Sequence, residues 1–91
     1  MDKIKRHAEL SVQNHKTYIK KNNDYGDSFS RMYQELGIVS AVTRIGDKYN
    51  RLVNLAKGAK AEVKDESIID TLMDMANYCL MTVMEIENEN K

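Results

Sequence analysis

Carboxylates in the C-terminal third of the chain are the residues best suited to chemistry. Residues 65–87, DESIIDTLMDMANYCLMTVMEIE, have helical periodicity, and one side of that helix carries Glu66, Asp70, Asp74 and Asn77. Aspartate is a poor helix former because its side chain competes for backbone hydrogen bonds. Two aspartates in mid-helix therefore point to a role beyond helix formation. This pattern alone leaves metal-assisted catalysis, ligand binding and a plain solvated face open.

A second charged stripe lies on the preceding predicted helix and consists of Arg44, Asp47, Lys48 and Arg51. One interpretation is a solvated face with ion pairs one helical turn apart. The other is a row of cations that binds phosphates, for which arginine offers forked donors. Gly46 in the interior of this helix costs about 1 kcal/mol relative to alanine. We therefore expect close helix packing, or the close approach of a ligand, at this glycine.

Residues 20–29, KKNNDYGDSF, have the composition of a turn, because asparagine, aspartate and glycine tolerate tight backbone geometry. Asp27 or Ser28 is the predicted cap of the helix that follows. A plain connector is favoured, since Gly and Asn are ordinary turn residues. The alternative is an anion-binding corner with a tyrosine that stacks on a base, formed by Lys20, Lys21, Asn23 and Tyr25.

The elements that must position these residues are all predicted to be helices, because proline is absent and glycine occurs only four times. The apolar spacing predicts a first helix over residues 2–21. A second helix comes in two parts, 29–36 ending at Gly37 and 42–56 ending at Gly58, and a loop over 58–65 leads to the capping candidate Asp65. In the final helix one apolar face is predicted to be buried against other helices, and it consists of Ile69, Leu72, Ala76, Cys79, Val83 and Ile86.

The composition indicates one small all-α domain over residues 1–91, a bundle of an N-terminal helix and two long antiparallel helices. Lysine plus arginine equals aspartate plus glutamate at 14 each, so net charge gives no argument for nucleic acid or an anionic membrane as partner. The single cysteine excludes an intrachain disulfide and suits a reducing cytoplasm. No run of about 18 apolar residues occurs, so we expect a soluble protein. His7 and His15 have no partner at ligand spacing and are predicted to face solvent or to be satisfied locally.

The apolar arc of the last helix is broader than a small hairpin of helices covers from one side. Met73, Leu80 and Met84 flank the aliphatic face. A second packing surface supplied by another subunit covers such an arc, so the sequence predicts a homo-oligomer.

Three ordered motifs carry a family resemblance, and they are DYGDSF at 24–29, RIGDKYNRL at 44–52 and DESIIDTLMDMANY at 65–78. With them the chain resembles the nucleotide-modification-associated domain 1 family, small proteins of bacteriophages and Gram-positive bacteria. The resemblance implies an association with phage genes for nucleotide and DNA-base modification, and it transfers no catalytic residue. A more distant likeness is to the all-α MazG-like nucleoside triphosphate pyrophosphohydrolases, helical dimers or tetramers that hold magnesium between two acidic helices. The second acidic helix is matched here, but the first has only Glu35 and Asp47.

Three functions are compatible with these observations. The first is a magnesium-dependent pyrophosphohydrolase in which Asp70 and Asp74 hold Mg²⁺ and Glu66 orients a water. In that hypothesis the phosphates and the base are bound by Lys21, Tyr25, Arg44, Lys48, Arg51, Asn77 and Tyr78. The second is a nucleotide binder without the reaction, either a sequestering protein or an accessory of a phage nucleotide-modification system. The third is a scaffold in which basic and acidic helices merely pair, each surface ion pair contributing about 0 to 1 kcal/mol.

Overall fold

The chain folds into helices joined by very short connections. The computed structural model describes the backbone of residues 1–58 and 61–91, and the side chains of residues 1–58 and 67–91. Within these ranges the fold is all-α, which confirms the prediction, and its helices are α1 (Lys3–Tyr25), α2 (Ser28–Leu36), α3 (Ile38–Gly58) and α4 (Ala61–Glu89). None of the helices in this part of the chain has both the length and the apolar content needed to cross a bilayer.

Helix α1 is longer than the sequence indicated. It begins after Asp2, whose side chain accepts a backbone N–H bond in the first turn at 3.1 Å. It ends at Gly26, which has the left-handed φ of 58°. There the Gly26 N–H bonds the Asn23 carbonyl, and the Asp27 N–H bonds the Asn22 carbonyl at 3.1 Å. The predicted turn is therefore wrong for residues 22–25, which lie beyond the predicted first helix, because this two-bond cap lets the helix continue to the glycine.

The two helix junctions that follow agree with the sequence in place but not in detail. Gly37 separates α2 from α3, as predicted, with φ 72° and its N–H bonded to the Tyr33 carbonyl at 2.7 Å. Asp27 stands at the start of α2, but its side chain makes no capping hydrogen bond. The loop predicted over 58–65 is wrong from Ala61 onward, where α4 begins, so Asp65 lies inside that helix. Residues 59–60 lie outside the described part of the chain.

A small apolar core lies where α2 and the start of α3 meet the C-terminal half of α4. Among the described residues its buried members are Phe29, Tyr33 and Ala41, with Tyr78 and Met81 packed against them. Aromatic rings supply most of the buried area in so small a cluster. The core therefore fixes α2 against α4, and it leaves the middle of the α3–α4 pair to other interactions.

Polar contacts contribute to those interactions. Helices α3 and α4 run antiparallel, and from one end of their seam to the other Arg51 meets Thr71, Lys48 meets Asp74, and Arg44 meets Tyr78. Thr71 is almost fully buried, and its hydroxyl donates to the Ser67 carbonyl at 2.6 Å. The side of α4 that faces the rest of the chain is thus its hydrogen-bonding side.

The apolar face predicted for α4 consequently points away from the chain. Of its six residues, only Ile86 packs against the core, and the other five are exposed. The prediction that this face packs against the other helices of the chain is wrong, because the opposite side carries the groups that bond to α3. The close packing predicted at Gly46 is not found either. An added Cβ there would meet no other described atom within 4 Å.

Helix α1 crosses α4 through a pair of asparagines. The buried Asn14 donates its Nδ2 proton to the Met73 carbonyl at 3.0 Å. Asn77 donates in turn to the backbone carbonyl and to the side-chain oxygen of Asn14, both at 3.1 Å. Buried amides that satisfy each other in this way fix one register between two helices. The crossing carries the C-terminal turns of α1 over the seam between α3 and α4.

Candidate functional site

A cleft of about 410 Å³ opens where the end of α1 lies over that seam. Its size falls within the range of about 300 to 1,000 Å³ that is usual for small-molecule sites. All four helices contribute to its wall, which is lined by Tyr18, Lys21, Asn22, Tyr25, Ser28, Phe29, Arg44, Lys48, Asp74, Asn77, Tyr78 and Met81. Charged groups, amides and tyrosines thus surround one concave surface.

Asp74 is the acidic centre of the cleft. One carboxylate oxygen accepts a hydrogen bond from Lys21 Nζ of α1 at 3.1 Å, and the other accepts one from Lys48 Nζ of α3 at 3.1 Å. Burial acts to raise the pKa of this carboxyl, but the bonds and charges of the two lysines outweigh it and hold the pKa below its ordinary value. Asp74 is therefore ionised at neutral pH and links three helices.

Positive charge exceeds negative charge in this cleft. Among the residues whose side chains the structure describes, Lys21, Lys48 and Arg44 line it together with a single carboxylate, that of Asp74. The lining of the cleft therefore carries a net charge of about two positive units, although the whole chain has a formal net charge of zero. Each ammonium group has three donor protons, so a lysine that bonds Asp74 can bond a second anion as well. This arrangement favours a ligand that carries phosphate.

The tyrosines of the cleft differ in what they can offer. Tyr78 stacks on Phe29 with ring centroids 5.8 Å apart, and the Arg44 guanidinium lies 6.0 Å from the centre of the Tyr78 ring. That ring is therefore engaged within the chain. Tyr25, at the last turn of α1, is 66% exposed, so its face is accessible for stacking on a planar base.

Asn77 lies in the cleft wall with its amide nitrogen already in use. Both of its donor bonds go to Asn14 on α1. The group that Asn77 can still offer a ligand is its carbonyl oxygen, which accepts hydrogen bonds only. Asn77 thus ties α1 to α4 and presents an acceptor at the same time.

The structure brings most of the sequence-predicted site residues together. Those that line the cleft are Lys21, Tyr25, Arg44, Lys48, Asp74, Asn77 and Tyr78. Arg51 does not line it, since its Nε donates to Thr71 at 3.3 Å beside a separate surface depression. Asp70 is exposed and also lies outside the lining. The side chain of Glu66 lies outside the described residues, and both histidines are exposed.

Part of the cleft wall was not predicted from the sequence, chiefly Tyr18 and Asn22 on α1 and Phe29 and Met81 beside the core. A signal for the α1 pair was present. Tyr18, Lys21, Asn22 and Tyr25 are spaced three, four and seven residues from the first and so share one helical face. Because the sequence predicted a turn here, this shared helical face was not recognised.

Of the two carboxylates predicted to hold magnesium, Asp74 is paired with two lysines and Asp70 lies outside the cleft lining. Among residues 1–58 and 67–91, no group of three or more acidic, histidine or cysteine side chains is arranged to bind a metal. Both Asp74 oxygens accept bonds from ammonium groups, and a divalent cation there would be repelled by two like charges at short range.

Comparison with known protein families is decisive on one point. The family described as nucleotide modification associated domain 1 matches residues 21–86, more than two thirds of the chain. The chain belongs to the nucleotide modification associated domain 1 family. This confirms the resemblance carried by the three motifs, and the matched range contains every residue of the cleft wall except Tyr18. Searches of curated proteins and of solved structures gave no match. The distant likeness to the MazG-like enzymes stays a prediction.

Proposed function

We propose that this member of the nucleotide modification associated domain 1 family binds a phosphorylated nucleotide in the cleft. In this proposal it acts as a sequestering or accessory protein of nucleotide modification. The observation that carries the proposal is the charge imbalance of the cleft, where three cations from two helices line one concave surface with the Asp74 carboxylate, and two of them bond it. The family description supports nucleotides as the ligand class.

A purely structural role for the charges accounts for this arrangement less well. One cation is enough to pair with a carboxylate in a structural ion pair. An exposed ion pair contributes only about 0 to 1 kcal/mol to the stability of the fold. Here Lys21 and Lys48 share one partner, while Arg44 lies over a tyrosine ring. Keeping three cations around a concave surface costs mutual repulsion, which a bound phosphate would relieve.

The geometry suggests how a nucleotide lies in the cleft. Its phosphates bond Lys21 and Lys48 on the side of each ammonium group that faces away from Asp74, and Arg44 adds forked donors. The base stacks on the exposed ring of Tyr25. The Asn77 carbonyl oxygen accepts a hydrogen bond from a donor group of the ligand.

Binding without hydrolysis is the form of the proposal that the described residues support. Hydrolysis of the phosphoanhydride bond of a nucleoside triphosphate needs a group that activates water or holds a metal. Asp74 is committed to two ammonium groups, and Asp70 is exposed outside the cleft. The magnesium-dependent pyrophosphohydrolase is the competing hypothesis. It requires Asp70, Asp74 and Glu66 to act together.

Calorimetric titration with a panel of nucleotides tests the proposal. A nucleoside and its mono-, di- and triphosphates are titrated with and without Mg²⁺, and the products are separated by chromatography. Saturable binding that strengthens with phosphate number, with the nucleotide recovered intact, supports the proposal. Magnesium-dependent turnover would support the enzyme instead, and no heat with any nucleotide would support the scaffold.

Lys48→Gln is the informative variant, and Lys57→Gln is its matched control on the same helix. Hydrogen bonds to charged groups contribute about 1.5 to 3 kcal/mol, so Lys48→Gln should weaken Kd by about 10-fold to 100-fold. Lys57 is exposed in the last turn of α3 and does not line the cleft, so its variant should bind like the wild type. Equal losses in both variants would show a diffuse charge effect and contradict a site at Lys48.

A further inference from the structure

Helix α4 carries an exposed apolar row on the side opposite the cleft. We call this row the outer stripe, and it consists of Ile69, Leu72, Ala76, Leu80 and Val83. The four large residues are 57%, 48%, 61% and 52% exposed in chain order. Isolated exposed apolar residues are ordinary, but a contiguous row along one helix face indicates an interaction surface.

The chain as a whole exposes more surface than a compact folded monomer of its mass. A folded monomer of 10.5 kDa is expected to expose about 5,400 Å². The chain exposes 7002 Å², about 1,600 Å² above that scaling. Its radius of gyration of 14.7 Å likewise exceeds the value of about 12 Å for a compact domain of 91 residues. A stable interface covers about 800 Å² on each partner, so the excess is large enough to supply one.

The pattern of the outer stripe favours a second copy of the same helix as its binding partner. Successive members are three, four, four and three residues apart, the spacing with which one helix packs along another. The stripe is also symmetric about Ala76, with large residues four and seven positions away on both sides. A two-fold axis at Ala76 would place Ile69 against the partner's Val83 and Leu72 against the partner's Leu80. The small alanines at the centre let the two helices approach closely.

We infer that the outer stripe is a dimer interface in which α4 packs antiparallel against α4 of a second copy of this chain. A two-fold interface needs a surface complementary to itself, and a palindromic apolar row meets that requirement. The formal net charge of zero also means that two copies do not repel each other. Because the cleft lies on the opposite side of α4, both clefts of the dimer stay open.

Mass in solution gives the first test. Sedimentation equilibrium should return twice the chain mass of 10.5 kDa for the wild type. Leu80→Glu should weaken association at least about 100-fold with the helical circular dichroism retained, since this side chain is exposed within the chain. Ile4→Glu, an equally radical change at an exposed apolar residue of α1, should leave the dimer intact. A wild type that stays monomeric at hundreds of micromolar would overturn the inference.

Thiol cross-linking tests the antiparallel arrangement without relying on a charged variant. In a Cys79→Ser background, which removes the only native cysteine, Ile69→Cys and Val83→Cys are treated with a short bismaleimide, singly and as an equimolar mixture. The mixture should yield cross-linked dimer, and each single variant should yield several-fold less. Efficient cross-linking of either variant to itself would show a different arrangement, and no cross-linking anywhere would remove the stripe from the interface. Nucleotide affinity should not change in Leu80→Glu, so loss of the dimer and loss of the proposed function give separate readouts.

Discussion

Replacing Asp74 by asparagine separates the phosphate-binding proposal from a metal-dependent enzyme most sharply, because the two predict opposite signs. In the binding proposal Asp74 competes with the ligand for Lys21 and Lys48, both of which it now bonds at 3.1 Å. Removing its charge should therefore tighten phosphate binding. In the enzyme hypothesis the same change removes a metal ligand and abolishes turnover.

The magnitude follows from the geometry of the shared ammonium groups. A phosphate oxygen that bonds the same ammonium lies about 5 Å from the Asp74 carboxylate, since each hydrogen bond spans about 3 Å. Two unit charges at that separation interact by about 1 kcal/mol in a water-exposed cleft. A terminal phosphate carries about 1.5 to 2 negative charges. Removing the carboxylate should thus lower Kd by about 5-fold to 30-fold.

The assay is calorimetric titration of wild type, Asp74→Asn and Asp70→Asn with one nucleoside triphosphate, without and with Mg²⁺. Asp70→Asn removes a carboxylate one turn away on the same helix, outside the cleft, and should change Kd by less than about twofold because exposed charges are screened. Weaker binding in Asp74→Asn, or Mg²⁺-dependent binding that both variants abolish, would refute the reasoning.

Three further predictions concern stability, each measured by urea unfolding with a named comparison. The pKa of Asp74 is lowered by folding, so its contribution is present above the ordinary value of 3.8 and is lost as pH falls through the folded pKa. The wild type's advantage over Asp74→Asn should shrink below pH 3.8, and an advantage constant down to pH 2 would contradict this. Asn14→Ala removes a buried amide, its bond to the Met73 carbonyl and one of the two bonds that Asn77 donates, which should cost about 1 to 3 kcal/mol; Gln13→Ala, exposed on the same helix, is its control, and equal costs would remove Asn14 from the crossing. Gly46→Ala should stabilise by about 1 kcal/mol, because the residue is helical and an added Cβ has open space; a lower unfolding free energy would show that this glycine is needed for contact.

The features of the fold that the sequence predicted correctly are those whose signal lies in a few neighbouring residues. The helix end at Gly37 was predictable because glycine ends a helix for reasons contained in its own backbone. The end of α1 was not, since three polar turn formers in a row suggested a turn at residues 22–24 and only the cap at Gly26 shows where the helix stops. Propensity is a weak prior that such a cap overrides.

The residue types of the candidate site were predictable from the sequence, but the side chains that each of them contacts were not. Charge type and helical spacing correctly grouped Arg44 and Lys48 on one face, and the structure places both in the same cleft as Asp74. They could not show that Arg51, one turn further along, bonds Thr71 instead. The sequence also did not show which side of α4 faces the other helices of the chain. Periodicity finds an apolar face but does not reveal whether the same chain or another copy covers it.

A crystal structure of the protein with a bound nucleoside triphosphate gives the strictest test of phosphate binding in the cleft. We expect phosphate oxygens within hydrogen-bond distance of Lys21 Nζ and Lys48 Nζ, close to Arg44, with the base against Tyr25. A nucleotide bound elsewhere, or one whose phosphates point away from the cations that share the cleft with Asp74, would contradict it.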